Sequence, residues 1–314
     1  MARAVRWMIS TAAATTVALL ATGPAPAQEP APAQEPAPAQ EPAPAQEKVA
    51  WDPRWPRFRP VEYVATGVLA VAAVSSFLIP PEASRWRTGN GFDDGVRDAL
   101  RIRDPDQSSV AKGASDVLIG ALMTQLAADA FVAAWWYHGE GSVAAEMLLM
   151  DAEAVMLAFA IQGVVAGLAS RERPFGVECR GPVEQQPDRC RTTNRYRSFF
   201  SGHTTGAFTA AGLTCAHHTR LPLYGGGAAD TLACAGAFAA AATVGTLRVV
   251  ADQHFSSDVL VGATWGTLVG LGLPWLLHYR GGAPQGEPAK AARGGGASIR
   301  LVPAPLGGAV IGVF

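Results

Sequence analysis

Between Trp51 and Arg280 the sequence is a train of six apolar segments, at 61–79, 114–136, 143–169, 204–216, 229–247 and 257–277, parted by short polar stretches. Most have helical length and few strand formers, and aromatic residues gather at their ends: Trp135, Trp136 and Tyr137, then Trp275 and Tyr279. The pattern predicts an all-α fold, a six-helix bundle embedded in a membrane. Composition points the same way, since 49% hydrophobic residues, 16% charged residues and 34 glycines suit apolar helices packed through small side chains. The second and third segments carry Asp129, Asp151 and Glu153, which are costly in lipid unless they face the bundle interior or a wet cavity. A net charge of -1 with no basic stripe argues against nucleic acid as a partner.

The ends of the chain read differently. Residues 1–27 hold Arg3 and Arg6, an apolar run, and small residues around Ala25 and Ala27, the layout of a secretory signal peptide. An uncleaved membrane anchor is the other reading, although the run is short for a full span. Residues 28–50 repeat EPAPAQ three times from Glu29 to Gln46; the prolines forbid a helix and the lack of apolar mass forbids a core, so this is a spacer. The helical domain is expected over 51–280. A Gly/Ala-rich tail, 281–314, follows and closes on SIRLVPAPLGGAVIGVF, which suggests a small hairpin.

Three polar stretches fall at helix ends: SRERPF (170–175), SFFSGH (198–203) and RVVADQHFSSD (248–258). Arg173 and Arg248 offer forked guanidinium donors that match a tetrahedral oxyanion. Ser201 and Gly202, just ahead of a helix, are placed to present a hydroxyl and backbone N–H groups at its positive end. If the segment around His254 is helical, Asp258 lies one turn away and can fix the imidazole's tautomer. An oriented imidazole is a good nucleophile, and His203 is a candidate acid for a leaving oxygen.

These stretches resemble the signature of the type 2 phosphatidic acid phosphatase and vanadium haloperoxidase superfamily, written K-x6-R-P, P-S-G-H and S-R-x5-H-x3-D. Arg173-Pro174, Ser201-Gly202-His203, and Arg248, His254 and Asp258 match it in order and spacing. The resemblance implies a metal-free, cofactor-free phosphatase of the PAP2 type. In it His254 attacks phosphorus, Asp258 orients His254, His203 is the acid, and Arg173, Ser201, Gly202 and Arg248 hold the phosphate. Three positions depart from the signature: its Lys falls on Ala166, its Pro on Phe200 and its second Ser on Leu247. Arg171 either supplies the missing cation or is a solvated surface charge.

Cys179 and Cys190, in a polar loop of an exported chain, suggest a disulfide, whereas Cys215 and Cys234 read as small buried hydrophobes. A disulfide beside the site points to the periplasm. A cleaved signal followed by three crossings would instead carry Arg173 inward, so segment 61–79 is expected to lie along or only partly in the bilayer; a signal that does not function as one is the alternative. His217 and His218 are neighbours that diverge on a helix and are not expected to bind metal; His138 and His278 are expected to be structural. The expected activity is hydrolysis of a phosphomonoester or pyrophosphate, of a lipid drawn from the membrane. A soluble periplasmic acid phosphatase and a vanadate-dependent haloperoxidase are the alternatives.

Overall fold

Capping residues decide where the helices begin. In the computed structural model, which describes residues 49–83, 85–182, 184 and 186–280 and the backbone of 298–304 and 307–313, helix α1 (Pro60–Ser75) starts on a proline. Its Glu62 folds back to accept the Arg59 N–H at 2.5 Å, satisfying a donor that the helix leaves bare. The Asn90 side chain caps α2 (Gly91–Leu100) by accepting from the Asp93 N–H at 2.9 Å. Asp104 caps α3 (Pro105–Ala128), which runs on through widened turns to Tyr137. Then come α4 (Gly141–Ala169), α5 (Gly202–His218), α6 (Ala228–Val250) and α7 (Ser256–Thr267), the last continuing through 268–272 into α8 (Leu273–Leu277). Each of the six apolar segments forms a helix as expected; α2 is an addition. Strands β1 (Ser298–Ala304) and β2 (Gly307–Val313) pair antiparallel as a hairpin. The signal-peptide reading of 1–27, the spacer up to residue 48 and the rest of the tail lie outside the described residues.

Among the described residues five stretches, Pro60–Leu78, Pro105–Tyr137, Gly141–Ala169, Ala228–Val250 and Ser256–Leu277, are long and apolar enough to cross a membrane. Their outer faces carry the residues a membrane wants: Val61, Val64, Val68, Val71 and Val74 form an exposed stripe down α1. So large an uncovered aliphatic face is at home against lipid rather than water, and the protein is a membrane protein. The carboxylates expected to face inward do so. His217 shares its two ring nitrogens between Tyr279 and Asp151, and His218 stands between Asp230 and Asp129.

Helix α5 is the exception, enclosed by the others, with every residue from Thr209 to His218 buried. Glycine makes that possible. Gly262, Gly266 and Gly270 recur every four residues along α7 and its continuation, where a Cβ would stand 2.8, 2.4 and 2.3 Å from the carbonyl oxygens of Ser201, Thr205 and Thr209. The two backbones therefore touch, as small residues at four-residue spacing allow between membrane helices. This contact fixes the first turn of α5 against the first turn of α7.

Two expectations are corrected here. Segment 61–79 does not lie flat: α1 stands parallel beside α4, with Ser76 against Gly163 and Ile79 against Gly167. Trp51 and Trp55, packed on Tyr279, thus lie at the end of the bundle opposite Arg173. Cys215 and Cys234 are not separate hydrophobes but a disulfide joining α5 to α6, whose Cα atoms approach to 4.5 Å.

Gly266→Val should break the α5–α7 contact, because its side chain meets backbone that cannot give way; overpacking of this kind costs about 1–3 kcal/mol or more. Thermal unfolding of the purified protein in detergent is expected to show a markedly lower midpoint, whereas Gly120→Val, at a position with nothing within 4 Å, should leave it near wild type.

Candidate active site

The polar stretches of the sequence meet where α4 ends and α5 and α7 begin. Their junction is Asp258, in the first turn of α7. Its Oδ2 accepts from the Ser198 hydroxyl at 2.6 Å and the Phe255 N–H at 2.9 Å, while its Oδ1 faces the Arg171 guanidinium at 2.5 Å. The carboxylate stands 3.8 Å from His254 Nδ1, and that nitrogen donates instead to the Ser198 carbonyl at 2.8 Å. A donor at Nδ1 leaves Nε2 as the basic nitrogen, and this Nε2 is buried with no hydrogen-bond partner.

Arg171 is neither a solvated charge nor a wall of the cavity, which corrects both readings of it. It is fully buried, bonded through one nitrogen to Asp258 and Ser257 and through the other to Asp93 at 2.7 Å. Its guanidinium carbon lies 4.3 Å from the Trp86 ring centre and 4.2 Å from that of Phe255. Burying a cation demands such pairing, and aromatic faces on either side are suited to Arg in particular. Asp93 comes from α2, the helix the sequence reading missed. Arg97, one turn on along the same face, makes two bonds to Asp252, of 2.6 and 2.7 Å. So α2 clamps the loop 251–258 from outside. Burial opposes ionisation of Asp93, but the hydrogen bonds from Arg171, Ser257 and Asn90 outweigh it and hold this carboxyl below the ordinary range.

A cavity of about 550 Å³ opens beside this junction, and Arg173, His203 and Arg248 line it together. Arg173 is steered by the Asn194 carbonyl at 2.9 Å and the Gln253 side chain at 3.2 Å. Helix α3 also lines the cavity, and two of its charged residues there were not foreseen: Lys112 and Asp116. Asp116 Oδ1 lies 2.9 Å from His203 Nε2 and 3.0 Å from Arg248, so a carboxylate oxygen sits where two of the cavity's positive or polar groups converge. No motif marks it, because its partners are distant in sequence.

Ser201 and Gly202 are placed differently from expectation. The Ser201 hydroxyl is fully buried as the N-cap of α5, accepting from the Thr204 N–H and hydroxyl, and does not line the cavity. Gly202 follows it in the first turn, against Gln162 of α4. Ala166, where the signature has its Lys, is buried within α4. Cys179 and Cys190 form a disulfide with Cα atoms 5.5 Å apart in the loop beside Phe175, a cavity residue.

The electrostatics favour neutral imidazoles around a strong positive field. Burial first, then Arg173 and Arg248, push His254 down to about 3 against the pull of Asp258. Burial and Arg248 hold His203 down to about 4, opposed by Asp116. Burial and the nearby Arg248 also bring Arg173 down to about 10, which leaves it charged at neutral pH. Two fixed guanidinium groups beside an unprotonated imidazole make a site that can accept a tetrahedral oxyanion and attack it.

Fold and site together define a membrane-embedded helical bundle with a cavity at one end lined by Arg173, His203 and Arg248. Residues 149–281 match the model of the PAP2 superfamily, a span that contains all three polar stretches, so the resemblance read from the motifs holds for this part of the chain. Among solved structures, the crystal structure of the first transmembrane PAP2 type phosphatidylglycerolphosphate phosphatase from Bacillus subtilis is similar, with 20% identity over 69% of this chain and 94% of that chain and a TM-score of 0.43. No curated protein matches.

Removing the buried cation should cost more than removing one that faces water. Arg171→Ala leaves two buried carboxylates unpaired, a loss of about 3–5 kcal/mol in such cases. The expected result is a sharp drop in thermal midpoint together with loss of activity, whereas Lys112→Ala, an exposed side chain, should leave the midpoint unchanged.

Proposed function

We propose that the protein is a phosphatase that hydrolyses a phosphomonoester or pyrophosphate through a phosphohistidine on His254. The observation that carries this reading is the convergence of Arg173, His203 and Arg248 on one cavity beside a buried, unpartnered His254 Nε2. In the first step Nε2 attacks phosphorus as the bond to the leaving oxygen breaks, and His203 gives that oxygen a proton. In the second, water attacks the phosphohistidine, His203 takes the proton from the water, and inorganic phosphate leaves with Nε2 free again. Arg173 and Arg248 carry the negative charge of the transferring group throughout. Asp258 acts through Ser198, whose hydroxyl it accepts and whose carbonyl receives the His254 Nδ1 proton. Lys112 supplies from α3 a cation that the signature puts at the position of Ala166.

The substrate we infer is a lipid phosphate. The cavity lies at the end of helices whose outer faces suit lipid, so a headgroup reaches it without the lipid leaving the bilayer. A soluble acid phosphatase fits poorly with the uncovered valine stripe on α1. His254→Ala is expected to abolish turnover. Brief reaction of wild type with labelled substrate should leave an acid-labile, base-stable phosphoryl group that the variant lacks; normal turnover by the variant would end this reading.

Asp116 has a part of its own. Its charge and hydrogen bond raise the pKa of His203 against burial and Arg248, so it helps that imidazole keep the proton needed by the leaving group. Activity that requires protonated His203 is lost as pH rises through its pKa. Asp116→Asn lowers that pKa, so the alkaline fall of kcat/KM should move to lower pH while the acid limb, set by His254, stays in place. A pH profile with both limbs unmoved would show that Asp116 does not act on His203.

We further propose that the cavity faces the periplasm, on the support of the Cys179–Cys190 disulfide beside it. With α1 upright, Trp51 is then on the cytoplasmic side. Non-reduced peptide mapping should recover the 179–190 pair, and an impermeant thiol reagent applied to whole cells after reduction should label it. Two free thiols at these positions would remove the support for a periplasmic site.

A further inference from the structure

The end of the bundle opposite the cavity holds a second group of buried polar side chains that the phosphatase reaction does not use. Glu62 in the first turn of α1, Glu153 midway along α4 and His278 just after α8 each present one oxygen or nitrogen, and these atoms lie within 4.8 Å of one another. All three residues are buried, at 4%, 5% and 1% exposure. No two come from the same helix, so the bundle has to form before the group exists.

The histidine gives the group its direction. His278 Nδ1 lies 3.0 Å from the Pro56 carbonyl, which can only accept, so Nδ1 carries the hydrogen and Nε2 presents its lone pair. That Nε2 is buried without a hydrogen-bond partner and stands 3.9 Å from Glu62 Oε1. A backbone carbonyl on one nitrogen that leaves the other bare and aimed at carboxylates is the arrangement that orients a metal-binding imidazole. Phe58, stacked on the ring at 5.8 Å, holds its plane.

Charge leads to the same place. Arg59 pairs with Glu62 through its side chain and its backbone N–H, but no described residue donates a hydrogen bond to Glu153. Two carboxylates therefore share one guanidinium. A divalent cation with a neutral imidazole would balance both carboxylates in full and free Arg59, whose side chain is half exposed, to turn outward.

We propose that Glu62, Glu153 and His278 bind a divalent first-row transition cation of the zinc type, at the end of the bundle opposite the phosphatase cavity. One imidazole and two carboxylates are a ligand set for zinc, and the lack of a thiolate disfavours copper(I). Three protein ligands leave the fourth position to water. Bonds of about 2.0 Å set tetrahedral ligands about 3.3 Å apart, so the 3.9 Å between His278 and Glu62 closes by a small shift. The ion would staple the segment entering α1 to α4 and to the end of α8.

The test uses the full chain in detergent micelles, stripped with a chelator and titrated with Zn²⁺, and separately with Co²⁺ as a visible probe. Wild type should take up one Zn²⁺ per chain, gain thermal stability, and give a Co²⁺ absorption typical of nitrogen and oxygen ligands. Glu153→Gln, which keeps the shape of the side chain, and His278→Ala should each weaken binding at least about tenfold, as loss of a ligand exceeds the loss of an outer partner. His203→Ala, which removes the imidazole beside Asp116 at the cavity, should leave uptake unchanged. The proposal fails if wild type binds no stoichiometric Zn²⁺, or if uptake survives Glu153→Gln and is lost in His203→Ala. It also fails if infrared spectra of zinc-saturated wild type show a carboxylic acid band that Glu153→Gln abolishes, since the group would then share a proton rather than a cation.

Discussion

The site depends on one buried interaction, the guanidinium of Arg171 held between Asp93 and Asp258 and sandwiched by Trp86 and Phe255. An ion pair with no exposed atoms is worth little as a source of net stability, because desolvation consumes most of the Coulombic gain. Its value lies in geometry. Asp258 has no freedom left once Arg171, Ser198 and the Phe255 N–H have taken its oxygens, and Ser198 in turn fixes the imidazole of His254. The line of contacts from Asp93 to His254 is thereby fixed, and it ends on an imidazole Nε2 that is buried without a hydrogen-bond partner.

The helix packing serves the same end. Backbone contact between α5 and α7, which only glycine at 262, 266 and 270 permits, brings the turn carrying His203 beside the turn carrying Asp258. The other helices cover α5, so the helix that bears His203 is an enclosed one, buried at every residue from Thr209 to His218. From α3, outside the PAP2-matched span, come the two charged cavity residues Lys112 and Asp116, so part of the pocket's charge lies apart from the three polar stretches.

What the sequence disclosed was linear. The six helices were legible from apolar runs; spacing within short stretches singled out His203, His254, Asp258, Arg173 and Arg248, which the fold gathers at the junction of α4, α5 and α7 or on the cavity beside it. What it hid was set by contacts across the fold. Arg171 looked like a surface charge because its partners lie 78 and 87 residues away, one of them on an amphipathic helix with no apolar run to announce it. Asp116 was invisible for the same reason, 132 residues before the arginine it meets. Ser201 sat in a motif but spends its hydroxyl on a helix cap, a choice that depends on where Thr204 points. The upright stance of α1 rests on Ser76 meeting Gly163, and no composition argument could distinguish it from a helix lying flat.

A structure of the full chain with bound vanadate tests the central claim most directly, since vanadate takes up the trigonal bipyramid of a transferring phosphoryl group. The account predicts vanadium bonded to His254 Nε2, its equatorial oxygens on Arg173 and Arg248, its apical oxygen toward His203, and Arg171 still buried between Asp93 and Asp258. Vanadate bonded to His203, or bound away from the cavity with His254 Nε2 still unpartnered, would contradict it.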